Sequence, residues 1–83
     1  MYSLVYSERA LKQLKKLNKD IQKRIISGLE RCRIRPYAHI RKLVGCPYFR
    51  LRVGDYRVII DIKDNQLRIF VIGVSHRKKV YNN

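Results

Sequence analysis

The sequence predicts an α+β fold: a strand, two helices and three further strands, giving a mostly antiparallel four-stranded sheet with a helix hairpin packed on one face. Three observations carry that prediction. Two stretches upstream of Ile34 repeat apolar residues at helical spacing, three stretches downstream of Pro47 alternate, and the turns between those three impose registers that put the same residues on one face. With 83 residues, the chain reads as one small domain, 1–83, with room for one modest core.

Tyr2 to Tyr6 alternates and stops at Ser7, which makes a short first strand. Ser7 is placed to cap a helix whose first turn carries Glu8, where a negative charge meets exposed N–H groups. Ala10, Leu11, Leu14 and Leu17 fall on one arc of that helix, and Lys12, Lys15 and Lys16 lie elsewhere, a solvated face. A polar break at Asn18 to Asp20 leads into a second helix from about Lys19 to Arg33. In it Ile21, Ile25, Gly28, Leu29 and Cys32 share a stripe about 100° wide. Glycine costs about 1 kcal/mol in a helix relative to alanine, so Gly28 on that stripe predicts close backbone approach to the first helix. Arg35 to Cys46 contains Pro36 and Gly45 and has no sustained period; it reads as a loop with His39 incidental and with Arg35, Arg41 and Lys42 extending a basic surface.

Tyr48 to Val53, Tyr56 to Ile62 and Leu67 to Val74 are the remaining strands. Gly54-Asp55 as a two-residue turn sets Val53 against Tyr56, Arg52 against Arg57, Leu51 against Val58 and Arg50 against Ile59. Asp64-Asn65 as a second such turn sets Ile62 against Leu67, Asp61 against Arg68, Ile60 against Ile69 and Ile59 against Phe70. The covered face then carries Phe49, Leu51, Val53, Tyr56, Val58, Ile60, Ile62, Leu67, Ile69 and Val71. The open face carries Arg50, Arg52 and Arg57 beside Ile59, Phe70 and Ile72. Gly73 falls opposite Tyr56 in this register, so the tail from Ser75 to Asn83 leaves the sheet at the Arg52–Arg57 end, and its His76, Arg77, Lys79 and Tyr81 can reach that basic wall.

Twenty Lys and Arg against six Asp and Glu give a formal charge of +14. On so small a body the charges repel within about one Debye length, ~8–10 Å, and a polyanion, nucleic acid first, is the natural compensation. Like charges directly opposed on a sheet are destabilising, which marks Arg52 and Arg57 as flanking a place for an anion. An apolar content of 46% excludes a disordered basic tail. No apolar run reaches the ~20 residues of a membrane span, and the opening residues lack a secretory signal. Cys32 and Cys46 form no Cys-x-x-Cys unit, so no zinc site is expected and a reduced, cytoplasmic protein is.

No carboxylate pair stands out for acid–base work, since Asp61 is placed to neutralise Arg68 or Arg57. No metal-ligand spacing and no phosphate-cradling glycine loop is present, so neither metal nor cofactor is expected. The remaining constellation, Arg50, Arg52, Arg57, His76, Arg77 and Tyr81, suits metal-free RNA cleavage. There the substrate's own 2′-OH attacks the adjacent phosphorus, and the protein supplies a base, an acid and charge stabilisation. The planar fork of arginine matches two phosphate oxygens at once. Against this stand plainer readings: a solvated basic face, a solvated loop histidine at His76, and a packing tyrosine at Tyr81.

The segments YSLVYSERALKQLKKL, DIQKRIISGLERC, YFRLRVGDYRVIIDI and VIGVSHRKKVY together resemble the RelE toxins of the RelE/ParE superfamily, with RVGDYRVI as the specific part. The resemblance spans nearly the whole chain. It implies a RelE-like domain that binds the ribosomal A site, cleaves mRNA there without metal, and is held inactive by an antitoxin in a higher-order complex. By the same resemblance Arg50 and Arg52 face the scissile phosphate, and Arg57 follows the turn. Tyr81 stacks on a base or transfers a proton, Arg77 stabilises phosphate and His76 transfers a proton; Lys42 and Lys79 add phosphate contacts. The chain stops two residues after Tyr81, without the further C-terminal helix of some relatives. The open face, an apolar floor ringed by positive charge, calls for an acidic antitoxin with an amphipathic segment. Two alternatives keep the basic surface: a ParE-like topoisomerase poison that cleaves nothing, and a non-catalytic RNA-binding module.

Overall fold

In the computed structural model, which describes residues 1–76, five strands form one sheet and two helices cover one of its faces. The elements are β1 (Ser3–Tyr6), α1 (Glu8–Lys15), α2 (Lys19–Cys32), β2 (Ile40–Lys42), β3 (Phe49–Val53), β4 (Tyr56–Lys63) and β5 (Arg68–His76). The sheet order is β1-β5-β4-β3-β2, with β1 parallel to β5 and every other pair antiparallel. The sheet therefore has one strand more than the sequence predicts. That strand, β2, lies inside the segment read as a loop, after a 3₁₀ turn at Pro36–Ala38. Three residues are too few to show an alternation, and the edge position suits the charged Arg41 and Lys42.

Both helices start where capping chemistry puts them. The Ser7 hydroxyl accepts from Ala10 N at 3.0 Å, and Asn18 Oδ1 accepts from Ile21 N at 3.0 Å. Ala10 and Leu14 of α1 and Ile25, Leu29 and Cys32 of α2 are buried against Leu51, Val58, Ile60, Ile62, Ile69, Val71 and Val74 of the sheet. Leu11, on the expected arc, is exposed instead. Gly28 does make a close approach, but its neighbour is β3 and not α1. A Cβ there would stand 3.3 Å from Val53 Cγ2 and 3.4 Å from Leu51 Cδ2.

The β3–β4 hairpin has the register predicted from Gly54-Asp55, Arg52 opposite Arg57 included, and Gly54 takes the positive φ such a turn requires. The β4–β5 hairpin departs from its prediction twice. Its turn is longer, a 3₁₀ turn at Asp64–Gln66 closed by Leu67 in the left-handed region at φ 52°, so Ile62 faces Ile69 and Asp61 faces Phe70. An offset of two residues leaves every side chain on its expected face, except that Leu67 leaves the core for the exposed turn. The second departure is a bulge. Ile60 pairs with Val71 but Ile59 pairs with Gly73, which leaves Ile72 as the extra residue and reverses the alternation of β5 beyond it.

Neighbouring side chains hold the bulge. The Ser7 hydroxyl donates to the Ile72 carbonyl at 2.9 Å, Ser7 N donates to the Val71 carbonyl at 3.0 Å, and Val74 N donates to Gln13 Oε1 at 2.6 Å. Beyond it Val74 points into the core and Ser75 stands opposite Arg57. At the other end of the sheet Asp64 accepts from two tyrosines, Tyr2 Oη at 2.6 Å and Tyr37 Oη at 2.7 Å, which ties the start of β1 and the turn before β2 to the β4–β5 turn.

Candidate nucleic-acid interface

The face of the sheet away from the helices is built in rows. Arg52, Arg57 and Ser75 form one, across β3, β4 and β5; Arg41, Arg50, Ile59 and Gly73 form the next, starting on β2. Directly opposed residues have Cβ atoms about 5 Å apart, and successive residues on one face of a strand are about 7 Å apart. Four arginine positions thus share one patch of the open face, roughly 10 Å across, and the turn and both registers fix them there. Arg41 was not among the singled-out site residues; only the pairing of β2 with β3 sets it opposite Arg50.

Three of the acidic side chains have partners outside these rows. Asp61, expected to neutralise Arg68 or Arg57, lies opposite Phe70 and pairs with Lys63 at 3.4 Å. Glu30 pairs with Arg33 at 2.7 Å, and Asp64 is held by the two tyrosines. Hydrogen bonds from Tyr2 and then Tyr37 hold the Asp64 carboxyl below the usual aspartate range. The reciprocal hydrogen bond pushes the Tyr37 phenol up to about 12 and raises Tyr2 as well.

Two residues expected among the arginines point away from them. The bulge turns His76 to the helix side of the sheet, opposite Tyr56, with the two rings edge to face at 5.0 Å between centroids. Lys42 pairs with Phe49, on the same side as Ile40 and Leu51, and its Nζ sits 6.0 Å over the Phe49 ring. Arg77, Lys79 and Tyr81 lie outside the described residues. Beside the arginines runs an apolar strip of Ile59, Ile72, Phe70 and Val5, the last paired with Phe70. Among the described residues no cluster of three or more His, Cys, Asp or Glu is placed to hold a metal ion, and no helix is long and apolar enough to cross a membrane.

A family model for the ParE toxin of the parDE type II toxin–antitoxin system matches residues 4–81. A RelE-like toxin protein of Escherichia coli is 34% identical over 98% of this chain and 90% of its own length. The chain belongs to the RelE/ParE superfamily of type II toxins. The mRNA interferase toxin RelE of Escherichia coli is 32% identical over 94% of this chain and 85% of its own. Among solved structures, isolated Escherichia coli RelE superposes with a TM-score of 0.82 at 29% identity, covering 99% of this chain and 93% of that one. The toxin chain of the intact Escherichia coli RelBE toxin–antitoxin complex gives 0.80 at 30% identity, over 92% and 96%. The five-stranded RelE-like sheet is thus the superfamily fold, and the chain is a RelE-like toxin.

Proposed function

We propose that this toxin cleaves mRNA in the A site of the translating ribosome, in the cytoplasm, and that an acidic antitoxin restrains it. The observation that carries the reading is the opposition of Arg52 to Arg57, with Arg50 and Arg41 in the adjoining row. Like charges opposed in this way attract an anion, and arginine's planar fork matches phosphate oxygens. In the proposed reaction the ribose 2′-OH gives its proton to a base as its oxygen bonds to the neighbouring phosphorus, the P–O5′ bond breaks with the 5′-oxygen taking a proton from an acid, and negative charge grows on the non-bridging oxygens between those arginines. Stabilising that charge is the largest contribution a protein can make without a covalent step. Arg50 and Arg52 hold the phosphate and Arg57 meets the developing charge. Arg77 adds to it, Tyr81 transfers a proton or stacks on a base, and Lys79 contacts flanking phosphate. Since β5 turns His76 toward Tyr56, we give it no proton, and Lys42, beyond the sheet edge on the helix side, drops to a peripheral contact. The mRNA interferase name of a relative 32% identical and the antitoxin in the RelBE complex support the reading.

The test incubates the chain with translating ribosomes and maps mRNA 5′ ends. New ends at codon spacing, absent without ribosomes, are the expected result; their absence refutes cleavage. A second reading follows from the ParE description of the matching family model: a topoisomerase poison that leaves RNA intact. It predicts trapped gyrase–DNA complexes in a supercoiling assay that contains no ribosomes.

A further inference from the structure

We infer that a pocket at the outer edge of β5, between α1 and the arginine rows, selects the base of a nucleotide joined to the scissile phosphate. Gln13 reads that base, and uracil is the base it favours. The inference rests on the RNA-cleavage reading above and adds what decides where the toxin cuts.

β1 pairs with β5 only as far as Val71, and beyond that residue the edge of β5 meets α1 instead. Arg9 and Gln13, four residues apart and so on one face of α1, line the pocket from that side. Ile59, Ile72 and Gly73 give it apolar surface, and Ser75, the cross-strand neighbour of Arg57, lines it next to the first arginine row. The space measures about 150 Å³. An aliphatic cavity of ~150 Å³ takes one benzene ring. A Cβ at Gly73 would stand 3.2 Å from Gln13 Oε1, so the missing side chain lets the amide lie against the strand.

That amide sets the chemistry. Val74 N donates to it at 2.6 Å, and an N–H can meet only the oxygen, so Gln13 has Nε2, a donor, left to offer. Size and donor together call for one flat ring with an acceptor on its rim. A nucleotide held by its phosphate between Arg52 and Arg57 carries such a ring on the adjoining sugar, and Ser75 makes the pocket continuous with that row. Unpaired bases stack on guanidinium planes and are read at their edges; Arg9 supplies the plane and Gln13 the edge contact. Uracil presents a carbonyl oxygen where cytosine presents an amino group, and two donors brought face to face leave both unpaired. A purine leaves its second ring outside the space.

The test maps the 5′ ends that the full chain makes on translating ribosomes, from a message carrying every codon in the same flanking context. At one of the two positions joined by the cut phosphate, wild type is expected to cut about tenfold more often with uracil than with cytosine. Gln13→Glu keeps an oxygen for Val74 N and puts an acceptor where the donor was, so the preference should invert, cytosine leading by about threefold or more. Gln13→Leu should cut the two within about threefold of each other. The ribosome and the message are common to all three chains, so selection by the ribosome cancels in the comparison. A fold merely loosened by substitution lowers both rates together and cannot invert their ratio. Uracil preference retained in both variants, or a Gln13→Glu chain that loses both rates without inversion, overturns the inference. A wild type that cuts but is indifferent between the pyrimidines, or prefers a purine at that position, overturns this inference alone. A wild type that makes no ribosome-dependent ends overturns the parent reading and takes the pocket along.

Discussion

The two ends of the sheet treat charge in opposite ways. At the end formed by the starts of β1 and β5, one carboxylate, Asp64, accepts from Tyr2 and Tyr37 and ties three segments together. Toward the Gly54-Asp55 turn, arginines face arginines across β2, β3 and β4. The first arrangement gathers unlike groups around one carboxylate, whereas the second gathers like charges that attract an anion. Substitutions at the tyrosine–carboxylate end should therefore change stability and spare activity, and those among the arginines should do the reverse.

The largest effect is expected at the opposed pair. Arg57→Ala should lower ribosome-dependent cleavage by about 100-fold or more, the usual consequence of removing one donor to a developing oxyanion. Arg52→Ala should lower it as well and leave the melting temperature unchanged or slightly raised, since a like-charge opposition is relieved. A melting temperature that falls in proportion to activity would mean that these side chains hold the fold together.

Part of this division was legible in the sequence and part was not. Gly54-Asp55 names its own turn type, so the β3–β4 register and the Arg52–Arg57 opposition followed directly. Helix starts at Ser7 and Asn18 were equally plain, because their side chains bond the first free N–H groups. The β4–β5 turn was not legible: it ends in a left-handed Leu67, and leucine carries no turn signal. Nor was the bulge, whose cause lies sixty residues away in Ser7 and Gln13. Its consequence for the site is specific, because it turns His76 away from Arg57 and puts Ser75 there. Gly28 signalled a close approach but could not say to which element.

A sharper form of the comparison contrasts two adjacent cations on one strand. Arg41 lies in the row of Arg50, while Lys42 lies on the other face over Phe49. Arg41→Ala is expected to weaken cleavage about tenfold, and Lys42→Ala by less than about threefold, since a bidentate phosphate contact is worth more than a peripheral point charge. Ribosome-dependent cleavage rates of the two variants decide it. Equal losses would mean that the RNA wraps the edge of the sheet instead of crossing its open face.

The smallest effects belong to the tyrosine–carboxylate end and appear as pH dependence. Asp64 has its folded value lowered by the two phenol hydrogen bonds. Its contribution to stability is therefore complete above the ordinary aspartate value, ~3.9, and is lost as pH falls through the lower folded value. Tyr37 moves the other way. Its contribution is complete below the ordinary tyrosine value of about 10 and is lost as pH rises toward about 12. The informative quantity is the difference between variants at each pH. Melting temperatures of wild type and Asp64→Asn should differ at neutral pH and converge below pH ~3.9. Those of wild type and Tyr37→Phe should change in relation to one another only above pH ~10, with wild type losing the more. Cleavage at neutral pH should be the same in all three chains. A loss of cleavage in Asp64→Asn that matched its loss of stability would show that the two ends of the sheet are coupled.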